Sequence, residues 1–381
     1  MKYIKLCIVK ACRVILKIFY VLPIKNNRIY LSSNLGQSIS CNPFYIYRYL
    51  KSHYPNKFEY IWEYTGETSD KEIFSVKPGT LRSIYYLLTS SVIISNDGLG
   101  SYIPKRSNQM FINTWHGGGA YKKSGVDFIT DQHKVDLIIN RICGEQTDVF
   151  LSGCHKFTEV MHGAKLVPQD RFLECGMPRN DLLMTGMDGE IVKKIKNRYG
   201  VQEKCRIILY APTYRGEEKD AYFNSQIDVF KCLDAASQRF GGEWVFFTRK
   251  HHFLKGVSFE QGVDVSDYED MQELLFAANI FITDYSSSMW DYALTEKPGF
   301  LFVPDLNQYS CERSFYTPPE TWPFPLAKTN QMLEQLILLY DETQGKKKIE
   351  DHQEALGNCE TGKAAEIVAE RIIKKCYFEK G

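Results

Sequence analysis

The sequence predicts an α/β fold of two Rossmann-like halves facing a central cleft. At 381 residues the chain is long for one core, so two domains are expected. Short apolar runs alternate with helical stretches in each half, the pattern of parallel strands joined by crossover helices. Polar and glycine-rich clusters follow several of those runs, and in such sheets ligands bind at the carboxyl ends of the strands. The expected division is an amphipathic helix over 1–23, a first domain over 24–190 and a second over 191–381.

Hydrophobic content of 44% and charged content of 24% are those of an ordinary globular protein. The net charge of +1 hides an asymmetry: residues 1–58 hold ten Lys or Arg and no acid, and the rest holds 37 basic and 46 acidic side chains. A basic head on an acidic body points to an anionic surface met by the N-terminus alone. The 11 cysteines form no C-x-x-C pair and no zinc-site spacing, which fits free thiols in a reducing cytoplasm.

Residues 1–22 are apolar but interrupted by Lys2, Lys5, Lys10, Arg13 and Lys17. No run approaches the ~18 apolar residues of a spanning helix, and the same charges break up a signal-peptide core. At ~100° per residue the five charges share an arc of roughly 140°. Ile4, Leu6, Ile8, Val9, Ile15, Leu16, Ile18, Phe19 and Leu22 take the other face. A helix lying on an anionic membrane has this pattern. A helix packed on the body is the plainer alternative. Pro23 ends the segment.

In the first half, Arg28–Ser32, Phe58–Tyr64, Val92–Asn96 and Met110–Trp115 read as strands, and 42–53 and 81–89 as helices. Ser95-Asn96-Asp97-Gly98 reads as a polar turn. The end of the last strand differs: His116 runs into Gly117-Gly118-Gly119, with Lys122 and Lys123 behind. Glycines permit close approach of a ligand and unusual φ. A histidine with an ordinary pKa near 6.5 can accept a proton there, so His116 points to function. Residues 141–185 read as irregular, and the domain junction falls near 183–203.

In the second half, Arg206–Tyr210, Trp244–Thr248, Val263–Val265, Ile280–Thr283 and Phe300–Val303 read as strands, and 228–240, 270–278, 289–294, 333–340 and 362–375 as helices. Three strand ends carry polar clusters: Thr213 with Arg215, Arg249 with His251, and Asp284 with Ser286 and Ser287. Together with Arg313 they suit a nucleotide diphosphate. The serines sit where a helix begins, which reads equally as capping or as a phosphate seat. His252 reads as a packed side chain.

The chain has no G-x-x-x-x-G-K-[ST] loop, no G-x-G-x-x-G fingerprint and no D-x-D pair to hold a metal on a sugar nucleotide. No cofactor is expected. Arginines, histidine and a helix N-terminus are then the positive groups available to a diphosphate leaving group. The basic residues line no aromatic-studded groove, so nucleic acid is not an expected partner.

Asn113-Thr114-Trp115-His116-Gly117, Lys122-Lys123-Ser124-Gly125, Gly176-Met177-Pro178-Arg179-Asn180-Asp181 and Tyr210-Ala211-Pro212-Thr213-Tyr214-Arg215 occur in that order. Arg249-Lys250-His251, Asp284-Tyr285-Ser286-Ser287-Ser288-Met289-Trp290-Asp291-Tyr292 and Pro304-Asp305-Leu306 through Glu312-Arg313-Ser314-Phe315-Tyr316 follow. Over residues 90–320 this series resembles the CDP-glycerol glycerophosphotransferase family of teichoic-acid polymerases and primases. The resemblance implies a GT-B architecture with an N-terminal acceptor domain and a C-terminal CDP-donor domain. It also implies attachment to the cytoplasmic face of the membrane and an undecaprenyl-diphosphate-linked saccharide as acceptor. The chain departs from the family pattern at Gly118, where Thr is usual, and at Tyr214, where Trp is frequent.

On this resemblance an acceptor hydroxyl attacks the glycerol-bearing phosphorus of CDP-glycerol and CMP leaves, in synthesis of a teichoic-acid or capsule-type polymer. His116 is the expected base and His251 its partner on the diphosphate, with the two roles exchangeable. Thr213, Arg215, Arg249, Asp284, Ser286, Ser287, Arg313, Gly117 and Lys122 are the expected substrate-binding set, and no metal ligand is expected. The alternatives are a CDP-ribitol enzyme, a nucleotide-sugar glycosyltransferase, and a membrane-associated scaffold without activity.

Overall fold

The computed structural model describes residues 2–68, 70–128, 134–186, 189–216, 222, 226–250 and 261–378. His251 and His252 lie outside the described residues. Two compact units divide the chain. The first takes residues up to Gly118, Lys123–Asp181 and the chain from Cys359 onward; the second takes Gly119–Lys122 and Leu182–Asn358.

The first unit is a seven-stranded parallel sheet of β1 (Lys25–Ser32), β2 (Glu59–Glu63), β3 (Ser75–Val76), β4 (Ser90–Ser95), β5 (Met110–Asn113), β6 (Val149–Ser152) and β7 (Phe172–Glu174), in the order β3-β2-β1-β4-β5-β6-β7. β4, β5 and β6 are buried along their whole length, which is why they read as unbroken apolar runs. Tyr30, Ile61, Leu88, Ile93 and Phe111 form the core beside them. Ser95 pairs with Asn113, so β4 and β5 end level and release their loops side by side.

The second unit is a six-stranded parallel sheet of β8 (Arg206–Tyr210), β9 (Trp244–Thr248), β10 (Val263–Asp264), β11 (Ile280–Thr283), β12 (Gly299–Phe302) and β13 (Leu326–Ala327), ordered β10-β9-β8-β11-β12-β13. Its strand order reverses between β8 and β11, the position where open α/β sheets bind ligands. Tyr210 pairs with Thr248 on one side and Ile282 on the other. The loops after β8, β9 and β11 therefore leave the sheet at one level. This is the α/β, GT-B-like pair of parallel sheets that the sequence predicts.

Residues 141–185 are more regular than expected: β6, β7 and the helix His155–Lys165 lie within them. The stretch expected as the domain junction, 183–203, contains the helix Gly189–Arg198. The expected division assigns residues 359–378 to the second domain, whereas the structure packs them in the first unit. The cause is local. Asp181 caps the helix Ala364–Ile373, accepting hydrogen bonds from Ala364 N at 2.9 Å and Ala365 N at 2.8 Å.

The N-terminal helix, Lys2–Leu16, rests on the first unit through Leu6 and Val9. Arg13 leaves the expected basic stripe: its Nη1 donates to the carbonyls of Ser101 and Ile103 and to Gln146 Oε1. Ile4, Ile8, Val14, Ile15 and Ile18 face water, flanked by exposed Lys5, Lys10 and Lys17. Among the described residues no helix is long and apolar enough to cross a membrane.

Candidate active site

β5 delivers His116 to the carboxyl edge of the first sheet through a strained residue. Trp115 adopts φ +51°, a left-handed conformation that a bulky side chain resists, at a cost of ~1–3 kcal/mol. The positive φ expected of the glycine run falls instead on this tryptophan. Hydrogen bonds hold it: Trp115 N donates to Asn113 Oδ1 at 3.0 Å, and Asn42 Nδ2 donates to Trp115 O at 2.9 Å. The indole stacks on the His116 ring at 4.4 Å and 20°, and Lys165 Nζ sits 4.2 Å from the indole centroid.

His116 Nδ1 lies 3.0 Å from the carbonyl oxygen of Asn96. A carbonyl only accepts, so Nδ1 carries the proton and Nε2 presents a lone pair. The Asp97 carboxylate stands 3.9 Å from Nδ1 and orients the ring further. Desolvation by the surrounding walls pushes the imidazole pKa down, against Asn96 O and Asp97 and with Arg179 and Lys165. The side chain nonetheless keeps 47% of its surface open to solvent. A neutral, directed and accessible imidazole at physiological pH is a competent proton acceptor.

The turn after β4, which reads as a plain polar turn, is thus the partner of His116. It acts through a backbone carbonyl, and that has no side-chain signature. Gly117 is buried behind the histidine. The chain then enters the second unit at Gly119, where Lys122 pairs with Phe315 across an isolated bridge.

In the second unit, Asp284 is 1% exposed and holds the ends of β8 and β11 together. Its Oδ1 accepts from Thr213 N at 2.9 Å, Thr213 Oγ1 at 3.0 Å and Tyr285 N at 2.6 Å. Its Oδ2 accepts from Arg215 Nη1 at 2.9 Å. Asp284 is therefore a scaffold for Thr213 and Arg215. The Arg215 guanidinium lies beside the stacked rings of Tyr285 and Tyr309, 5.0 and 4.9 Å from their centroids. Burial opposes its charge, but Asp284 and Asp305 outweigh burial and hold its pKa above the ordinary value.

Lys122 enters this cluster near Asp284, Arg313 and Arg215. Burial, aided by the two guanidinium groups and opposed by Asp284, pushes its pKa down to about 8. At the end of β9, Arg249 donates its backbone N–H to Tyr210 O at 2.9 Å. Its Nη1 is buried and has no hydrogen-bond partner among the described residues, and burial lowers its pKa. A buried guanidinium N–H without an acceptor is costly, and a phosphate oxygen would satisfy it.

Ser286 Oγ accepts from Ser288 N at 3.2 Å and from Ser288 Oγ at 2.7 Å, so Ser286 caps the helix. That helix, Ser288–Ala293, has six residues, and Ser287 makes no side-chain cap bond. The structure thus gathers Thr213, Arg215, Asp284, Arg313 and Lys122, with Ser286, Ser287 and Arg249 on neighbouring strand ends. His116 and Gly117 belong to the first unit. Asp305 and Tyr309 were given no role by sequence, although Asp305 follows β12 as Asp284 follows β11. On the surface of the first unit, His155, Glu174 and Cys359 bring potential metal-ligating atoms within 4.8 Å of one another. Sequence spacing gives no sign of this group.

Residues 14–374 match the family model for CDP-Glycerol:Poly(glycerophosphate) glycerophosphotransferase. The teichoic acid poly(glycerol phosphate) polymerase of Bacillus spizizenii is 28% identical over 100% of this chain and 95% of its own length. The polymerase of the same name from Staphylococcus epidermidis is 30% identical over 92% of this chain, which spans about half (51%) of that relative. A structure of the wall teichoic acid polymerase TagF superposes with TM-score 0.82 at 25% identity, covering 98% of this chain and 95% of that one. A histidine-to-asparagine variant of TagF soaked with CDPG superposes with TM-score 0.80 at 26% identity, covering 95% and 93% of the two chains. On the extent of the family match and of these likenesses, the chain belongs to the CDP-glycerol:poly(glycerophosphate) glycerophosphotransferase family.

Proposed function

We propose that this protein transfers glycerol phosphate from CDP-glycerol to a hydroxyl of a lipid-linked saccharide or polyol-phosphate acceptor at the cytoplasmic face of the membrane, in teichoic-acid synthesis. The acceptor oxygen forms a bond to the β-phosphorus. The bond from that phosphorus to the bridging oxygen breaks, and its electron pair leaves with CMP. The acceptor's proton passes to His116 Nε2. Lys122, Arg249, Arg313 and the Ser286–Ser287 turn hold the diphosphate and take up the charge on the leaving CMP. Thr213, Arg215 and Asp284 hold that pocket in shape.

The observation that carries this reading is the tautomer of His116. Its Nδ1–H is committed to Asn96 O at 3.0 Å, which leaves Nε2 as the basic atom. General-base catalysis of this kind is worth ~10²–10⁴-fold. The apolar residues that the helix Lys2–Leu16 and the turn after it leave exposed, with Lys5, Lys10 and Lys17 beside them, support a seat on an anionic membrane, where such an acceptor would reside.

The test supplies radiolabelled CDP-glycerol, CDP-ribitol or a UDP-sugar with a lipid-linked acceptor. Label from CDP-glycerol in the lipid product, with stoichiometric CMP, supports the proposal. Preferential use of CDP-ribitol or a UDP-sugar, or no transfer from any donor, overturns it.

A further inference from the structure

The main chain that presents His116 is held by a turn more than sixty residues away in sequence. Arg179 Nη1 donates to the carbonyl of His116 at 3.0 Å. Asn42 Nδ2 donates to the carbonyls of Thr114 at 3.1 Å and Trp115 at 2.9 Å. Asn42 Oδ1 in turn accepts from Arg179 N at 3.1 Å. Three consecutive carbonyls, ending at the candidate base, are therefore tied to Asn42 and Arg179.

The turn bearing Arg179 is itself set by one buried carboxylate. Glu360 is 7% exposed. Its Oε2 accepts from Met177 N at 2.8 Å, and its Oε1 accepts from Asn180 Nδ2 at 2.8 Å, so it brackets Arg179 on both sides. The carboxylate fits because two positions lack a side chain. A Cβ on Gly176, which adopts φ +86°, would stand 2.5 Å from Oε2, and one on Gly153 would stand 2.9 Å from Oε1. A buried carboxylate is tolerated only when its oxygens are hydrogen-bonded, and these bonds define the conformation of the turn.

We propose that Glu360 is the positioning residue of the candidate base. It acts through the Met177–Asn180 turn and Arg179, which fix where His116 Nε2 points. The proposal rests on the reading of His116 as the base. Glu360 touches no substrate. Its effect falls on the proton-transfer geometry, where a displacement of about 1 Å costs ~10²-fold. Binding of the CDP donor, assigned to the second unit, is left unchanged.

The experiment uses the full chain with Glu360→Gln, Arg179→Lys and the double substitution. Glutamine turns one of the two acceptors into a donor facing a donor. The expected result is a kcat lower by ~10–100-fold with the KM for CDP-glycerol within about twofold of the parent. The double variant should be no slower than the slower single one, because both act through the same bond. A second readout needs no turnover: in histidine-labelled protein, the ring resonances of His116, assigned by His116→Asn, should shift in both single variants while those of His352 stay in place. An unchanged kcat, a raised KM for the donor, multiplicative effects, or equal shifts at every histidine would each overturn the proposal. Should Glu360→Gln not fold, Arg179→Lys carries the same kinetic and spectroscopic tests. Absence of transfer by the parent enzyme defeats the functional reading instead, and the resonance shifts still decide the positioning role.

Discussion

The guanidinium of Arg215 grips the carboxylate of Asp305 with two roughly parallel bonds, Nε to Oδ2 at 2.6 Å and Nη2 to Oδ1 at 3.2 Å. With Nη1 on Asp284 and Thr213, this arginine spends its donors on the protein. Arg215 thus serves the protein's own carboxylates, and on the proposed function the diphosphate is left to Lys122, Arg249 and Arg313.

Removal of Arg215 should therefore register first as lost stability. Asp284 is 1% exposed and Arg215 10%, so Arg215→Ala leaves a buried carboxylate unpaired. The expected loss is about 3–5 kcal/mol, read from the denaturant midpoint at constant slope. A loss below about 1 kcal/mol would mean that water reaches Asp284.

His116→Asn should lower kcat by ~10²–10⁴-fold and leave the thermal midpoint near that of the parent, since the ring is 47% exposed. Its pKa lies below the ordinary 6.5, so the acidic limb of the pH–rate profile should fall below that value. Circular dichroism and a pH–rate series check both outcomes.

Lys122 titrates near the working range, at about 8. It is charged below that pH and neutral above it. The kcat/KM for CDP-glycerol should therefore fall as pH rises through about 8, because the free enzyme loses a positive charge from the proposed diphosphate seat. In Lys122→Met this alkaline limb should disappear and the donor KM should rise; a limb of unchanged position in that variant counts against the assignment.

His352 gives a stability signature of the opposite sense. Its Nδ1 donates to Thr321 O at 2.8 Å and its Nε2 accepts from Tyr121 Oη at 3.0 Å, so the buried ring is neutral. Burial pushes its pKa down to about 4. Between that value and ~6.5 the unfolded chain binds the proton and the folded one does not. Stability is present above about 6.5 and is lost as pH falls toward 4, by about 3 kcal/mol in all. Urea midpoints from pH 7 to 4 should show the decline, and His352→Gln should flatten it.

Charged substitutions on the outer face of the N-terminal helix test the membrane proposal. Each isoleucine withdrawn from water contributes ~1.5–3 kcal/mol. Ile8→Glu with Ile15→Glu should therefore reduce sedimentation with phosphatidylglycerol vesicles by at least tenfold. Neutral phosphatidylcholine vesicles should bind the parent less well, since Lys5, Lys10 and Lys17 then gain nothing. Equal sedimentation of parent and variant would refute the docking face.

Strands buried on both faces were plain in the sequence. β8, β9 and β11 fall within the runs Arg206–Tyr210, Trp244–Thr248 and Ile280–Thr283 to the residue, because uninterrupted apolar character leaves few alternatives. β7 was hidden by its brevity, three residues with none fully buried, and helix Gly189–Arg198 by its charge, since charged helices resemble linkers until something packs on one side. At the candidate site, side-chain types at strand ends singled out His116, Arg215 and Asp284, which the structure places after β5, β8 and β11. The supporting bonds were not legible. Asn96 contributes a carbonyl, and Glu360 acts on Met177 across 183 residues of chain. Lys122 stands six residues from His116 yet belongs to the other unit.

The path of the chain has a consequence for its synthesis. The first sheet is encoded by residues 25–174, yet its unit is completed only by the segment from Cys359, whose Glu360 and helix Ala364–Ile373 engage Met177, Asn180 and Asp181. On the ribosome the N-terminal body must therefore wait, unfinished, while the whole second sheet is translated. A stop codon near residue 358 would spare the second unit and strip a helix from the first, so truncation at the tail is a lesion of the front.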